Sequence, residues 1–97
     1  MKNIKRVEVI IGKRGSEKVV ELLHKNEIKG YSRIRNVDGA GDKFSRDGEY
    51  PTDVFTNHYV LIGCSPEDFN KIKEPLRQLL EEYSGVCMVS DAQWLIH

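Results

Sequence analysis

Val7, Val9 and Ile11 alternate with Arg6, Glu8 and Ile10 near the start of the chain. A period of two predicts a β-strand with one face fully buried and the other partly so. Gly12 closes that strand, and a helix is expected from about Ser16. It would bury Val19, Val20, Leu22 and Leu23 and turn Lys18, Glu21 and Lys25 to water, with Ile28 just beyond it. Tyr31–Val37 reads as a second strand around Ile34. Phe55–Cys64 reads as a third, centred on Tyr59-Val60-Leu61-Ile62.

The second helix carries the clearest start signal. Ser65 is placed to cap it, Pro66 suits the first helical position, and Asp68 stands where a capping-box acid would. Its buried stripe is Phe69, Ile72, Leu76, Leu79, Leu80 and Tyr83. Pro75 lies inside that stripe and lacks the N–H of a helical bond, which predicts a kink or a break into two pieces. Ser84-Gly85 stops the helix, Val86–Val89 forms a fourth strand, and Trp94-Leu95-Ile96 a short final element.

The order β-α-β-loop-β-α-β is that of an α+β, ferredoxin-like βαββαβ fold: a four-stranded antiparallel sheet with two helices on one face. The bare sheet face must then be polar or covered by another subunit.

The 97 residues allow a single domain, 1–97. Hydrophobic residues make up 39% and charged residues 31%, an ordinary globular balance. Fifteen basic residues match fifteen acidic ones, so the basic excess of a general nucleic-acid binder is missing. No apolar run approaches a membrane span, and no apolar signal core follows the basic first residues, so a cytoplasmic protein without direct membrane insertion is expected. Cys64 and Cys87 have neither a metal-ligand spacing nor the number for a disulfide framework. They read as buried thiols. His24, His58 and His97 are scattered, so no metal site is assigned. No Ser-His-Asp, Cys-His or paired-carboxylate arrangement stands out, so no catalytic residue is assigned and an enzyme is not expected.

The most informative segment lies between strands two and three, at about 38–54. Structureless loops beyond about 12–15 residues are uncommon in compact domains and are usually functional or disordered. Its first part reads Asp38-Gly39-Ala40-Gly41-Asp42-Lys43-Phe44-Ser45-Arg46. Glycines let backbone N–H groups approach an anion, while Lys43 and Arg46 bring positive charge to the same end. A phosphate cradle and a solvated loop with incidental charges are both open on this chemistry alone. Neither a Walker ending nor a helix after the glycines is present. Phe55 is expected in the core, Phe44 on either side, and Tyr50 is not expected to be modified. Arg33 and Arg35 share a strand face and suit either anion steering or ion pairing.

Three stretches carry a resemblance to the PII signalling superfamily, nearest its PII-like proteins of bicarbonate uptake and carboxysomes. Lys29-Gly30-Tyr31-Ser32 resembles that family's Lys-Gly-Tyr-Thr lead-in to strand two. Asn36 through Arg46 is similar to the base of its T-loop, and Tyr83-Ser84-Gly85-Val86 to the Tyr-Ala-Gly-Ile of its B-loop region. The resemblance implies a homotrimer that binds nucleotide in clefts between subunits. It implies phosphate contacts from the backbone at Gly39 and Gly41 and from Lys43 and Arg46, with Ser32 near the loop base and close backbone approach at Gly85.

The chain departs from the family at position 43, Lys for Arg, and at position 40, Ala for Lys. It also lacks the long B-loop and a basic C-terminal tail. These departures favour ADP, AMP or cyclic AMP (cAMP) over ATP and leave bicarbonate open as a co-ligand, with no metal required. The T-loop would signal to a membrane transporter or a metabolic enzyme, with no nucleic acid involved. Two alternatives share the fold: a CutA-like metal-binding trimer, and another small ferredoxin-like domain that binds a ligand or RNA.

Overall fold

The computed structural model describes residues 1–38 and 57–96. Its elements are β1 (Lys2–Gly12), α1 (Lys13–Lys25), β2 (Tyr31–Val37), β3 (Asn57–Cys64), α2 (Pro66–Glu82) and β4 (Val86–Trp94). The strands form one antiparallel sheet in the order β2-β3-β1-β4, the expected ferredoxin-like arrangement.

The alternation read from the first strand matches the register. Val7, Val9 and Ile11 lie opposite Ile62, Val60 and His58 of β3. All three are fully buried, and with Val19, Leu23, Ile72 and Leu76 they build the core between sheet and helices. Removing each such aliphatic side chain from water contributes about 1.5–3 kcal/mol. The stripe of α2 packs as its spacing predicts, with Ile72 and Leu76 buried and Phe69, Leu79, Leu80 and Tyr83 against them.

Helix starts divide into one expected and one not. Ser65 caps α2, its Oγ accepting the N–H of Asp68 at 3.0 Å, and Pro66 sits in the first turn. Such a cap contributes about 1 kcal/mol. In α1 the cap position falls to Gly12, and the helix begins at Lys13, three residues before the expected start. Ser16 lies one turn inside and is fully buried, with its hydroxyl turned to a side chain of β3.

Two further expectations are corrected. Pro75 does not divide α2, which runs unbroken through it; the burial of Ile72 and Leu76 on either side outweighs the one missing backbone bond. Trp94 is not in a separate element, because β4 continues to it through Ser90–Gln93. Asp91 and Gln93 suit an edge strand, since β1 supplies their partners: Asp91 takes an ion pair from Lys5 at 2.6 Å, and Asn3 Oδ1 accepts from Gln93 at 2.8 Å. Trp94 lies over Gly63 and Ile4, where a Cβ on Gly63 would come within 2.7 Å of its ring.

The second sheet face has no helix. Register puts Glu8, Ile10, Tyr59, Leu61, Ile34, Ser32 and Met88 on it. Glu8 is held there by the Tyr59 hydroxyl, which donates to it at 2.9 Å, and by Arg6 at 3.4 Å. Ile34, Leu61 and Met88 are exposed around that polar group.

Candidate functional site

The candidate site is built at one rim of the sheet. Register brings Gly12, Asn57 and Val37 together there, and Val86 lies opposite Ile10 just inside the same rim. The last turn of β2 toward this rim is irregular. Its pairing with β3 shifts between Ile34 and Val37, and Asn36 takes a left-handed conformation at φ 61°. A bulge of this kind bends a strand and re-aims the chain beyond it. It falls at Asn36, where the sequence places the foot of the long loop.

Of the six residues assigned to ligand binding, Ser32 and Gly85 are described. Gly39, Gly41, Lys43 and Arg46 lie outside the described residues, as do Phe44, Tyr50, Phe55 and His97. Ser32 is exposed on β2, opposite Leu61. Gly85 is buried just ahead of β4, where its N–H donates to Leu80 O at 2.9 Å and closes α2. A Cβ at Gly85 would meet the Ile11 side chain at 2.8 Å, so glycine here lets β4 pack against the centre of the sheet. Ser84, not Gly85, takes the left-handed turn that ends the helix, at φ 57°.

Ser32 and Gly85 do not meet within one chain. β2 and β4 are the two outer strands, and three strand spacings of about 4.8 Å set them roughly 14 Å apart across the sheet.

Beneath β2 the structure assembles a polar cluster that the sequence does not reveal. Arg33 Nη1 donates to Ser16 Oγ at 3.3 Å, and that oxygen lies 3.0 Å from His58 Nδ1. With Arg33 as donor to the oxygen, the Ser16 hydroxyl is free to donate to a neutral imidazole. Burial, followed by the positive charges of Arg33 and Arg35, holds His58 below its ordinary pKa of 6.5. No spacing could have signalled this cluster, since its members lie on three elements.

The remaining histidine and thiols have ordinary surroundings. His24 Nε2 is 3.2 Å from the Tyr31 hydroxyl at the surface. Burial pushes the Cys64 thiol up, and that of Cys87 up to about 11. Among the described residues no group of three His, Cys, Asp or Glu side chains is placed to hold a metal ion. No helix among them is long and apolar enough to cross a membrane.

The βαββαβ order and the β2-β3-β1-β4 sheet define a small domain of the ferredoxin-like type. The chain belongs to the family of nitrogen regulatory protein P-II, whose family-wide pattern it matches over residues 4–95. Solved structures share its fold. CPII, a nitrogen regulatory PII-like protein from Thiomonas intermedia K12 bound to ADP, AMP and bicarbonate, superposes with a TM-score of 0.78 at 23% identity, covering 95% of this chain and 88% of that one. A PII-like signalling protein from Thermus thermophilus gives 0.75 at 19% identity, covering 96% and 90%. The B. subtilis GlnK–ATP complex gives 0.66 at 18% identity, covering 95% and 84%. No curated protein sequence matches the chain.

Two outcomes are expected. Gly85→Ala should lower stability by about 1–3 kcal/mol through overpacking against Ile11, with or without nucleotide, as read from a urea midpoint; an unchanged midpoint contradicts the packing role. His58 adds a pH dependence. Because its folded pKa lies below 6.5, the unfolded chain takes up the proton first. Stability is therefore complete above 6.5, declines as pH falls through that value, and levels off below the folded pKa. Relative to His58→Gln, the wild type should lose stability between pH 7.5 and 5.5; parallel curves would contradict a buried neutral imidazole.

Proposed function

We propose that the chain is a PII-like sensor that binds an adenine nucleotide at clefts between the subunits of a homotrimer and signals through the loop at about 38–54. The observation that carries this reading is the separation of Ser32 and Gly85 on opposite outer strands. Both positions match family motifs, and they serve one ligand only if β2 of one copy lies beside β4 of the next. The uncovered sheet face, with Ile34, Leu61 and Met88 exposed, supports such an assembly.

In this reading Gly39 and Gly41 offer backbone N–H groups to phosphate, and Lys43 and Arg46 pair with its oxygens. Ser32 hydrogen-bonds at the loop base, while Gly85 forms the backbone floor from the neighbouring copy. ADP, AMP or cAMP is favoured over ATP, the preference suggested by the departures from the family at positions 40 and 43 and by the lack of a long B-loop. Thiomonas CPII was solved with ADP, AMP and bicarbonate together, which supports a bicarbonate co-ligand here. The loop is the signalling element, and a transporter or metabolic enzyme reads its state. For that the nucleotide must favour one loop state over another. A cytoplasmic location fits such a role. The metal-binding alternative finds no ligand cluster among the described residues. The RNA-binding alternative finds its one central-strand aromatic, Tyr59, tied to Glu8.

Calorimetric titration with ADP, AMP, cAMP and ATP, with and without bicarbonate, tests the reading. One site per subunit is expected, with ADP, AMP or cAMP tighter than ATP. Arg46→Ala should weaken binding by about 1–3 kcal/mol, the cost of a charged hydrogen bond. No heat with any nucleotide, or an unchanged affinity in Arg46→Ala, would defeat the site assignment.

A further inference from the structure

Among the described residues, the cluster under β2 holds more positive than negative charge. Arg33 and Arg35, with Tyr31 and Ile34, border a cleft along the outer strand β2 that is wide open to solvent. Arg33 has the Ser16 hydroxyl as its partner, and neither guanidinium has a carboxylate among the described residues. The first turn of α1, which carries Ser16, has no acidic residue and no capping side chain. The charged groups that act on His58 are Arg33 and Arg35 from β2 and Lys13 and Glu17 from α1, while β1 sets the apolar Ile11 opposite it. Among the described residues, three cations thus face a single acid around a buried imidazole.

Such an arrangement is poised for an anion. Two arginine forks at one cleft match the oxygens of a small oxyanion, and guanidinium favours paired contacts of this geometry. His58 is 4% exposed and is joined through Ser16 Oγ to Arg33, so a change in charge at the cleft is felt at the ring. In the empty cleft a proton on His58 would add to a positive cluster. An anion between the arginines removes that repulsion. Binding and protonation then favour each other, and linkage makes the effect reciprocal.

We propose that the Arg33–Arg35 cleft is a binding site for a small oxyanion, and that the anion is taken up together with a proton on His58. The oxyanion is either a free ion or the phosphate group of a larger ligand; the cleft's chemistry is the same for both. The proposal goes beyond the nucleotide reading: sulfate tests the free-ion case without nucleotide, and only the phosphate case rests on that reading.

Sulfate is a suitable probe because it does not titrate near neutrality. The ring signals of His58 would be followed by NMR from pH 4 to 8 at constant ionic strength, with chloride replaced by sulfate and, separately, with ADP added. Sulfate should raise the His58 midpoint by about half a unit to one unit, the scale of one nearby charge partly screened by solvent. Arg35→Gln changes an exposed side chain and should fold normally. It should abolish the shift and weaken sulfate binding about tenfold, as expected for a lost charged hydrogen bond. Wild-type affinity for sulfate should rise as pH falls, and in His58→Gln it should be flat. If ADP moves the midpoint in an Arg35-dependent way and sulfate does not, the proposal holds with the nucleotide's phosphate as the source. A His58 midpoint unmoved by both probes, or a shift retained in Arg35→Gln, overturns it.

Discussion

The double pairing of β1 is the constraint on which the remaining architecture depends. It hydrogen-bonds to β3 on one side and β4 on the other, which places its side chains at the middle of the sheet. Val7, Val9 and Ile11 are buried against α1 and α2, and that single layer of helices uses up both crossovers. The sheet is left with one dry face and one bare face. β2 and β4 are pushed to opposite edges, and the chain's two matching ligand motifs go with them. In the reading proposed above, the pairing that makes the core is also what calls for a second copy to complete a ligand cleft.

Charge is distributed unevenly although it sums to zero. On the bare face Glu8 is satisfied by Tyr59 and Arg6, so the carboxylate at its centre is held and directional. On the helix side, among the described residues, Arg33, Arg35 and Lys13 outnumber Glu17 around His58. A zero net charge argues against unspecific attraction to polyanions. It leaves room for a local positive site with one small guest.

What the sequence made legible was local. Alternation marked β1, Ser65-Pro66 marked the start of α2, and the stripe from Phe69 to Tyr83 marked its buried side, because each signal is carried by neighbours along the chain. The misreadings arise where the partner is distant. Ser16 looks like a helix start until His58, from another strand, is seen to hold its hydroxyl. Ser90–Gln93 looks like the end of a strand until Lys5 and Asn3 of β1 are seen to pair with Asp91 and Gln93. Pro75 looks like a breaker until the burial beside it is known. For the candidate site, the loop motifs and Gly85 were legible as family-like residues. The contact that makes glycine necessary at position 85 comes from Ile11, and the Arg33–Ser16–His58 cluster joins three elements with no shared spacing.

The central claim is that the ligand cleft exists only between copies of the chain. Native mass spectrometry of the protein with increasing ADP tests it most directly. The account predicts a species of three chains that takes up one, two and then three nucleotides, with no nucleotide on any dissociated single chain. A monomer that carries ADP one-to-one would contradict it.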